Sequence, residues 1–241
     1  MSADELFKHP RSLIDDFDFG PQTARVFDDM LERSVPFYGE IQRMIAEMAA
    51  AIAAAGTTLY DLGCSTGTTL RTLDRALPGD IRFVGIDSSP DMLQRAGAKL
   101  SAQGCSRPLE LLCLDLERGV LIKDASVVVM ILTLQFIRPL RREAVVADIV
   151  RGLNEGGALI LVEKDLGANS TVNRLFIEYY YDFKRRNGYS DTEIAQKRES
   201  LENVLIPYHY AENQELLLRQ GFRVCEPFFR WYNFCGILAL K

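Results

Sequence analysis

Three short segments place glycine and aspartate residues where strands are expected to end. The first runs from Tyr60 to Gly67 (Tyr-Asp-Leu-Gly-Cys-Ser-Thr-Gly), and in it Gly63 lets the backbone turn sharply close to a ligand. Asp87 follows a second strand-like run, where its carboxylate can accept from both hydroxyls of a ribose. Asp115 follows a third and can accept from an adenine amino group. Together they predict a nucleotide site, although each alone also fits a tight turn or a helix cap.

The spacing of the glycines separates two classes of nucleotide. The dinucleotide fingerprint is G-x-G-x-x-G, and its second glycine admits the pyrophosphate. Here three residues, Cys64 to Thr66, separate Gly63 from Gly67, which disfavours NAD. The pattern Asp-x-Gly-x-x-x-Gly after a strand resembles motif I of class I AdoMet-dependent methyltransferases. The Asp-Ser-Ser-Pro-Asp-Met-Leu run from Asp87 is similar to their second motif.

The elements that must position these segments alternate along the chain. Strands are predicted at 58–62, 82–86, 109–114, 126–132 and 158–163, with helices at 68–76, 90–103 and 141–153. This alternation is typical of βαβ units around a buried parallel sheet. The resemblance to class I methyltransferases implies a Rossmann-like α/β fold, whose seven-stranded, mostly parallel sheet has the order 3-2-1-4-5-7-6 and helices on both faces.

Helical segments are predicted on both sides of this core. Residues up to about Gly20 are expected to drape over it, and a helix spans 21–32. Ser34-Val-Pro36 is expected to cap a second helix, which Gly56 ends. After the core come helices at 171–187, at 191–203 (with a capping box of Ser190 and Glu193) and at 211–220 (ended by Gly221), then antiparallel strands at 222–229 and 231–240.

The whole chain, 1–241, is expected to form one AdoMet-binding α/β domain. Its predicted parts are an N-terminal helical cap at 1–56, a nucleotide-binding core at 57–165, a helical insertion at 166–210, and a C-terminal helix and strand pair at 211–241.

Composition narrows the choice of partners and compartment. The net charge is -5, from 28 Lys and Arg against 33 Asp and Glu, which favours a small-molecule substrate over direct nucleic-acid binding. The dense basic run Lys184-Arg185-Arg186 fits a solvated helix end, although a local patch stays open. Five unpatterned cysteines and two histidines predict free thiols and no metal site. The polar, acidic start and the lack of a long apolar run predict a cytoplasmic protein that does not enter a membrane.

A narrower resemblance covers nearly the whole chain, from about Phe17 to Lys241. The matching segments lie at 33–38, 61–65, 133–136, 153–157, 163–164, 182–185, 187–190, 196–198 and 201–204. Asn-Gly-Tyr-Ser at 187–190 and Gln-Lys-Arg at 196–198 are the most specific of these. With them the chain resembles the carboxy-S-adenosylmethionine synthases, which act in the pathway to uridine 5-oxyacetic acid at the tRNA wobble position.

The resemblance implies an activity and a set of residues. Such enzymes convert AdoMet and prephenate to carboxy-AdoMet and phenylpyruvate, through a sulfonium ylide that captures carbon dioxide. It implies that Arg198 is catalytic and grips the new carboxylate through two parallel hydrogen bonds. It also implies a homodimer. The expected binding residues for AdoMet or carboxy-AdoMet are Tyr38, Gly63, Cys64, Ser65, Asp87, Ser88, Met92 (near the adenine), Asp115, Leu116 and Arg198.

Several alternatives stay open at this point. The alternative role of Arg198 is an i,i+4 ion pair with Glu202, and that of Tyr38 is half-burial on an amphipathic helix. Ile131 stands where the family pattern has an asparagine, and it cannot offer that residue's amide hydrogen bonds. The competing functions are an ordinary AdoMet-dependent methyltransferase for a small acidic molecule, and a non-catalytic AdoMet-binding partner of a tRNA-modifying enzyme.

Overall fold

The computed structural model describes residues 3–105 and 107–241. The helices are α1 (Pro21–Ser34), α2 (Tyr38–Ile52), α3 (Thr68–Ala76), α4 (Pro90–Ala102), α5 (Pro139–Gly152), α6 (Ser170–Arg186), α7 (Asp191–Leu201) and α8 (Tyr210–Gln220). The strands are β1 (Thr58–Leu62), β2 (Arg82–Asp87), β3 (Leu109–Cys113), β4 (Ala125–Ile131), β5 (Leu153–Leu166), β6 (Tyr208–His209), β7 (Val224–Trp231) and β8 (Phe234–Leu240). Short 3-10 helices span Leu116–Arg118 and Leu134–Phe136. Within these residues, each helix is too short or too polar to cross a bilayer.

The sheet has the order β3-β2-β1-β4-β5-β8-β7. β1 to β5 pair in parallel, and β8 runs antiparallel to both β5 and β7. This confirms the predicted fold class and the order of its seven main strands. One strand was not predicted, because β6 has only two residues and pairs with the end of β5.

Both faces of the sheet are covered, and the central strands are accordingly apolar throughout. Along β4, Val127 and Val129 point to one face and pack in a cluster with residues of α2 and α3. Val128 and Met130 point to the other face and pack with residues of α5 and α8. All residues of β1 are buried, so both faces of the sheet are covered at its centre. The carboxyl ends of the strands are left as the place where a ligand can approach.

The N-terminal segment 3–20 lies over the carboxyl edge of the sheet, as expected. The Arg11 N–H donates to Gln196 Oε1 at 2.7 Å, and Gln196 Nε2 donates to the carbonyl oxygens of Phe7 and His9. Farther along, Phe17 N–H donates to the Ser200 carbonyl oxygen at 2.8 Å. One face of α7 therefore holds the segment in place.

Two predicted helix boundaries are wrong. Ser34 does not cap α2, because it is the last residue of α1 and its hydroxyl donates to the Tyr189 hydroxyl at 3.3 Å. Phe37 in the left-handed conformation precedes α2 instead. Gly56 does not end α2, which stops at Ile52. By contrast, the capping box of Ser190 and Glu193 and the left-handed Gly221 after α8 are confirmed.

Candidate functional site

A cavity of about 250 Å³ lies at the carboxyl ends of the parallel strands, where open α/β sheets bind ligands. The N-terminal segment covers it, with the Phe19 ring packed edge-on against Phe136 at 5.2 Å between centroids. Of the predicted cofactor-binding residues, eight line it: Tyr38, Gly63, Cys64, Ser65, Asp87, Ser88, Asp115 and Leu116. The structure thus brings together residues that lie far apart in sequence.

The glycine-rich turn between β1 and α3 is fixed by Asp87. The Ser65 N–H donates to Asp87 Oδ2 at 2.9 Å, and Ser89 N–H donates to Asp87 Oδ1 at 2.9 Å. Gly63 has φ +77°, and a Cβ there would lie 2.2 Å from Thr133 Oγ1. Gly67 also has a positive φ and leaves only 3.1 Å from an added Cβ to Ala96 Cβ. The turn therefore needs both glycines, and it places backbone and one carboxylate at the cavity.

Asp61 was not among the predicted site residues, yet it is the most unusual group in the cavity wall. Its side chain is only 2% exposed, and its Oδ2 has no hydrogen-bond partner in the described part of the chain. Burial, together with the charge of Asp87, raises the pKa of Asp61 to about 8. A buried carboxylate with a free oxygen at a cavity is suited to a positively charged ligand. The sequence feature that could have identified Asp61 as a site residue is its position in motif I.

Asp115 both caps a helix and lines the cavity. Its Oδ1 accepts from the Glu117 N–H at 2.9 Å, and its carboxylate pairs with Arg118. Asp115 therefore caps the 3-10 helix that follows it, as its position also allowed, and its contact with adenine stays a prediction. Leu116 and Ser88 lie beside it, and Ser88 is exposed.

Tyr38 and Cys64 are buried in the wall, whereas Met92 lies elsewhere. Burial raises the pKa of the Tyr38 hydroxyl and of the Cys64 thiol, so both stay protonated. Met92 is fully buried in a cluster with Phe27 and Met30 of α1, and it is not part of the cavity lining. The structure therefore gives Met92 a packing position under α1 and does not bring it to the site.

Glu163 fixes the opposite wall. Its carboxylate accepts from the N–H groups of Thr133, Leu134 and Gln135 at 3.0, 2.9 and 2.8 Å. Burial raises the pKa of Glu163, and these three hydrogen bonds oppose the rise because they favour the ionised carboxylate. Ile131, half-buried at the end of β4, lines the cavity and presents only an apolar side chain there.

Arg198 does not line this cavity. It is exposed on α7 and borders a second, adjacent cavity. Among residues 3–105 and 107–241 it has no ion pair, so the alternative pair with Glu202 is not formed. The two cavities share Lys164, Tyr180, Lys197, Leu201 and Leu205 as a common wall.

The basic run at the end of α6 is only partly solvated. Arg185 pairs with Asp182 and Asp191 at the surface, as expected of a helix end. Lys184 was expected to be solvated, but it is buried against the rings of Tyr180 and Tyr189. Burial and the nearby charges of Lys197 and Lys164 lower the pKa of Lys184 to about 6.

Comparison with known proteins decides the family. A methyltransferase domain family matches residues 59–157. A carboxy-S-adenosyl-L-methionine synthase of Methylococcus capsulatus is 56% identical over 242 residues, which cover 100% of both chains. One from Desulfotalea psychrophila is 43% identical and covers 99% of this chain and 97% of its own. The chain belongs to the carboxy-S-adenosyl-L-methionine synthase family.

Membership confirms the expected enzyme class and cofactor, an AdoMet-dependent transferase. A solved SAM-dependent methyltransferase from Aquifex aeolicus has the same fold, with a TM-score of 0.63 at 16% identity, covering 93% of this chain and 99% of that protein. Family membership and fold therefore agree on an AdoMet-dependent transferase.

Proposed function

We propose that the protein converts AdoMet and prephenate into carboxy-AdoMet and phenylpyruvate, and so supplies the modification of the tRNA wobble uridine. The observation that carries the proposal is full-length similarity to synthases of that name. In the balanced reaction, the methyl carbon gains the carboxyl group that prephenate loses. The proton from the methyl group and the ring hydroxyl of prephenate leave together as water.

The cavity fits AdoMet in two respects. The free Oδ2 of Asp61 is suited to a cationic group, which the ammonium and sulfonium of AdoMet both provide. Gly63 lines the cavity, so a ligand there meets backbone without a side chain at the turn between β1 and α3. We assign the cofactor contacts to the eight lining residues named above, with Asp87 and Asp115 toward the ribose and the adenine.

We assign the carboxylate of the product to Arg198. An exposed guanidinium that has no ion pair in the described residues is available for two parallel hydrogen bonds. The proposed reaction requires only small molecules, so we propose no direct contact with RNA and no membrane association. The five free cysteines fit our proposal of a reducing, cytoplasmic compartment.

We further propose that the whole chain acts as one domain and forms a homodimer. Supporting this, Tyr179 of α6 and Tyr232 of the β7–β8 turn are 43% and 44% exposed, with ring centroids 5.1 Å apart. Phe176 stacks on the same Tyr232 ring at 5.2 Å. Exposed aromatic side chains of this kind are suited to being buried against a second copy.

The second candidate function is an ordinary AdoMet-dependent methyltransferase, and Ile131 is the observation that favours it. Mass spectrometry of the small molecule released from denatured protein separates the two, followed by incubation with AdoMet and prephenate. We expect a species heavier than AdoMet by one carboxyl group. If only AdoMet or S-adenosylhomocysteine is released and prephenate is not consumed, the synthase proposal fails.

A further inference from the structure

Two ammonium groups lie in the wall shared by the two cavities. Lys164, near the end of β5, is half-buried, with its Nζ 4.8 Å from the centroid of the Tyr180 ring. Lys197, on α7, is buried, with its Nζ 5.5 Å from the centroid of the Phe17 ring. Asp61 and Asp87 line the same cofactor cavity, so a ligand at the lysines would share that cavity with AdoMet.

Within residues 3–105 and 107–241 neither ammonium forms an ion pair, and the carboxylate whose charge acts on Lys197 is that of Asp4, which accepts from the Tyr189 hydroxyl. The acidic side chains that flank Lys164 are engaged elsewhere. Glu163 accepts three backbone hydrogen bonds, and Asp165 pairs with Arg230. Because unpaired buried charges are costly, two such lysines beside one cavity point to an anionic ligand.

The backbone is held by hydrogen bonds at Lys164 and next to Lys197. The Lys164 N–H donates to Gln135 Oε1 at 3.0 Å. Lys197 follows Gln196, whose amide binds the N-terminal segment through three hydrogen bonds. The two cations therefore reach the cavity from a strand and a helix that are fixed independently of any ligand, as a preorganised site requires.

The charge of the site matches two carboxylates. Burial lowers the pKa of Lys164 and of Lys197 to about 8, and the charge of Lys197 contributes to the shift at Lys164. Both groups are therefore largely charged at pH 7. The third buried lysine, Lys184, borders only the second cavity, and its pKa of about 6 leaves it mostly neutral. Two ammonium groups that repel each other would be stabilised by a dianion.

We propose that Lys164 and Lys197 bind the carboxylates of a cyclic dicarboxylate, the carboxyl donor; this inference rests on the function proposed above. The rings of Phe17, Tyr180 and Phe234 line the same cavity and supply an apolar wall against which a six-membered ring can pack. The lysines bind the donor, which is a role distinct from that of Arg198 on the product.

Isothermal titration of prephenate into the full chain tests this assignment. The protein is first saturated with S-adenosylhomocysteine, which lacks the reacting methyl group, so that binding is measured without turnover. Lys164→Met and Lys197→Met should each weaken prephenate binding about 10- to 100-fold, the effect of losing a charge-assisted hydrogen bond. Their affinities for S-adenosylhomocysteine should stay within about twofold of the unmodified protein's.

Lys123→Met is the matched control, because Lys123 is exposed and lies outside both cavities. It should bind prephenate as the unmodified protein does. Unchanged prephenate affinity in both lysine variants would overturn the lysine assignment while leaving the synthase function intact. A third outcome is that the unmodified protein binds other dicarboxylates through the lysines but neither binds nor consumes prephenate. In that case the lysine site is supported, and prephenate is not the carboxyl donor. Binding of no dicarboxylate at all would overturn both.

Discussion

At the scale of single residues, we expect Asp61 to make cofactor binding depend on pH. Its carboxyl group, with a pKa of about 8, holds a proton in the unliganded protein at neutral pH. A cationic ligand prefers the ionised form, so AdoMet must displace this proton. Between pH 5.5 and 7, below the pKa of about 7.7 of an α-amino group, AdoMet affinity should rise with pH by up to about tenfold per unit. Titrations at several pH values measure this slope.

The control is Asp61→Asn, which removes the titration and should flatten the slope. The same group also acts on folding. Because the unfolded carboxyl has its ordinary, lower pKa, the folded protein binds more protons between about pH 4 and 8. The unliganded protein should therefore lose stability as pH rises through that range. An equal affinity slope in the Asn variant would contradict the assignment.

We expect Arg198 to distinguish carboxy-AdoMet from AdoMet. Arg198→Ala should bind AdoMet nearly as the unmodified protein does but bind carboxy-AdoMet about 10- to 100-fold more weakly, because one carboxylate loses its charge-assisted partner. Competition binding with both ligands measures the difference. Asp87→Ala, by contrast, should weaken both ligands alike through the ribose and the turn. Equal loss of both ligands in Arg198→Ala would make Arg198 structural.

The sequence could predict site residues that lie on a local motif. Gly63, Ser65 and Asp87 lie next to one another because a strand-turn-helix places them there. Met92 belongs to a similar motif, but its side chain is covered by α1, which the motif does not include. Lys164 could not be predicted as a cavity residue, because its place there depends on how β5 packs with Tyr180 of α6.

At the scale of elements, Glu163 on β5 holds the segment that follows β4. Glu163→Gln replaces one carboxylate oxygen with an amide NH₂ group. That group cannot accept a hydrogen bond, so at least one of the backbone N–H groups at 133–135 loses its acceptor. The free energy of unfolding should fall by about 1–3 kcal/mol. Denaturant titration measures it. AdoMet should also bind more weakly, since Thr133 and Gln135 line the cavity. Glu155→Gln, at an exposed surface ion pair, should change stability by less than about 1 kcal/mol. If Glu163→Gln and Glu155→Gln lowered stability equally, Glu163 would not hold the segment that follows β4.

Element boundaries were predictable where the signal is local. The capping box of Ser190 and Glu193 lies within one turn of α7, and its two groups bond each other in the structure. Ser34 has the same type of side chain, but Tyr189 occupies its hydroxyl from 155 positions away. β6 has only two residues and exists because Tyr208 meets Asp165 in tertiary packing. Such pairings are not visible in any short window of sequence.

At the scale of the whole molecule, the alternation of strands and helices predicted a parallel sheet of βαβ units, and the resemblance to class I methyltransferases supplied the order of the main strands. The sequence did not show how the termini combine. The N-terminal segment and α7 cover the cavity together, joined through Gln196. The aromatic cluster of Phe176, Tyr179 and Tyr232 lies on the outer surface instead. The covered cavity and the aromatic cluster proposed to meet a second copy are therefore separate regions of the molecule.

The aromatic cluster makes the proposed homodimer testable. The protein should sediment as a dimer at micromolar concentration, and Tyr179→Glu should shift it to monomer, with a dimer dissociation constant raised at least about 100-fold, since a charge would be buried among rings. Leu140→Glu is the control, because Leu140 is 95% exposed on α5 and lies outside the cluster. Analytical ultracentrifugation measures the three proteins. If Tyr179→Glu keeps the mass of the unmodified protein, the copies do not meet through this cluster.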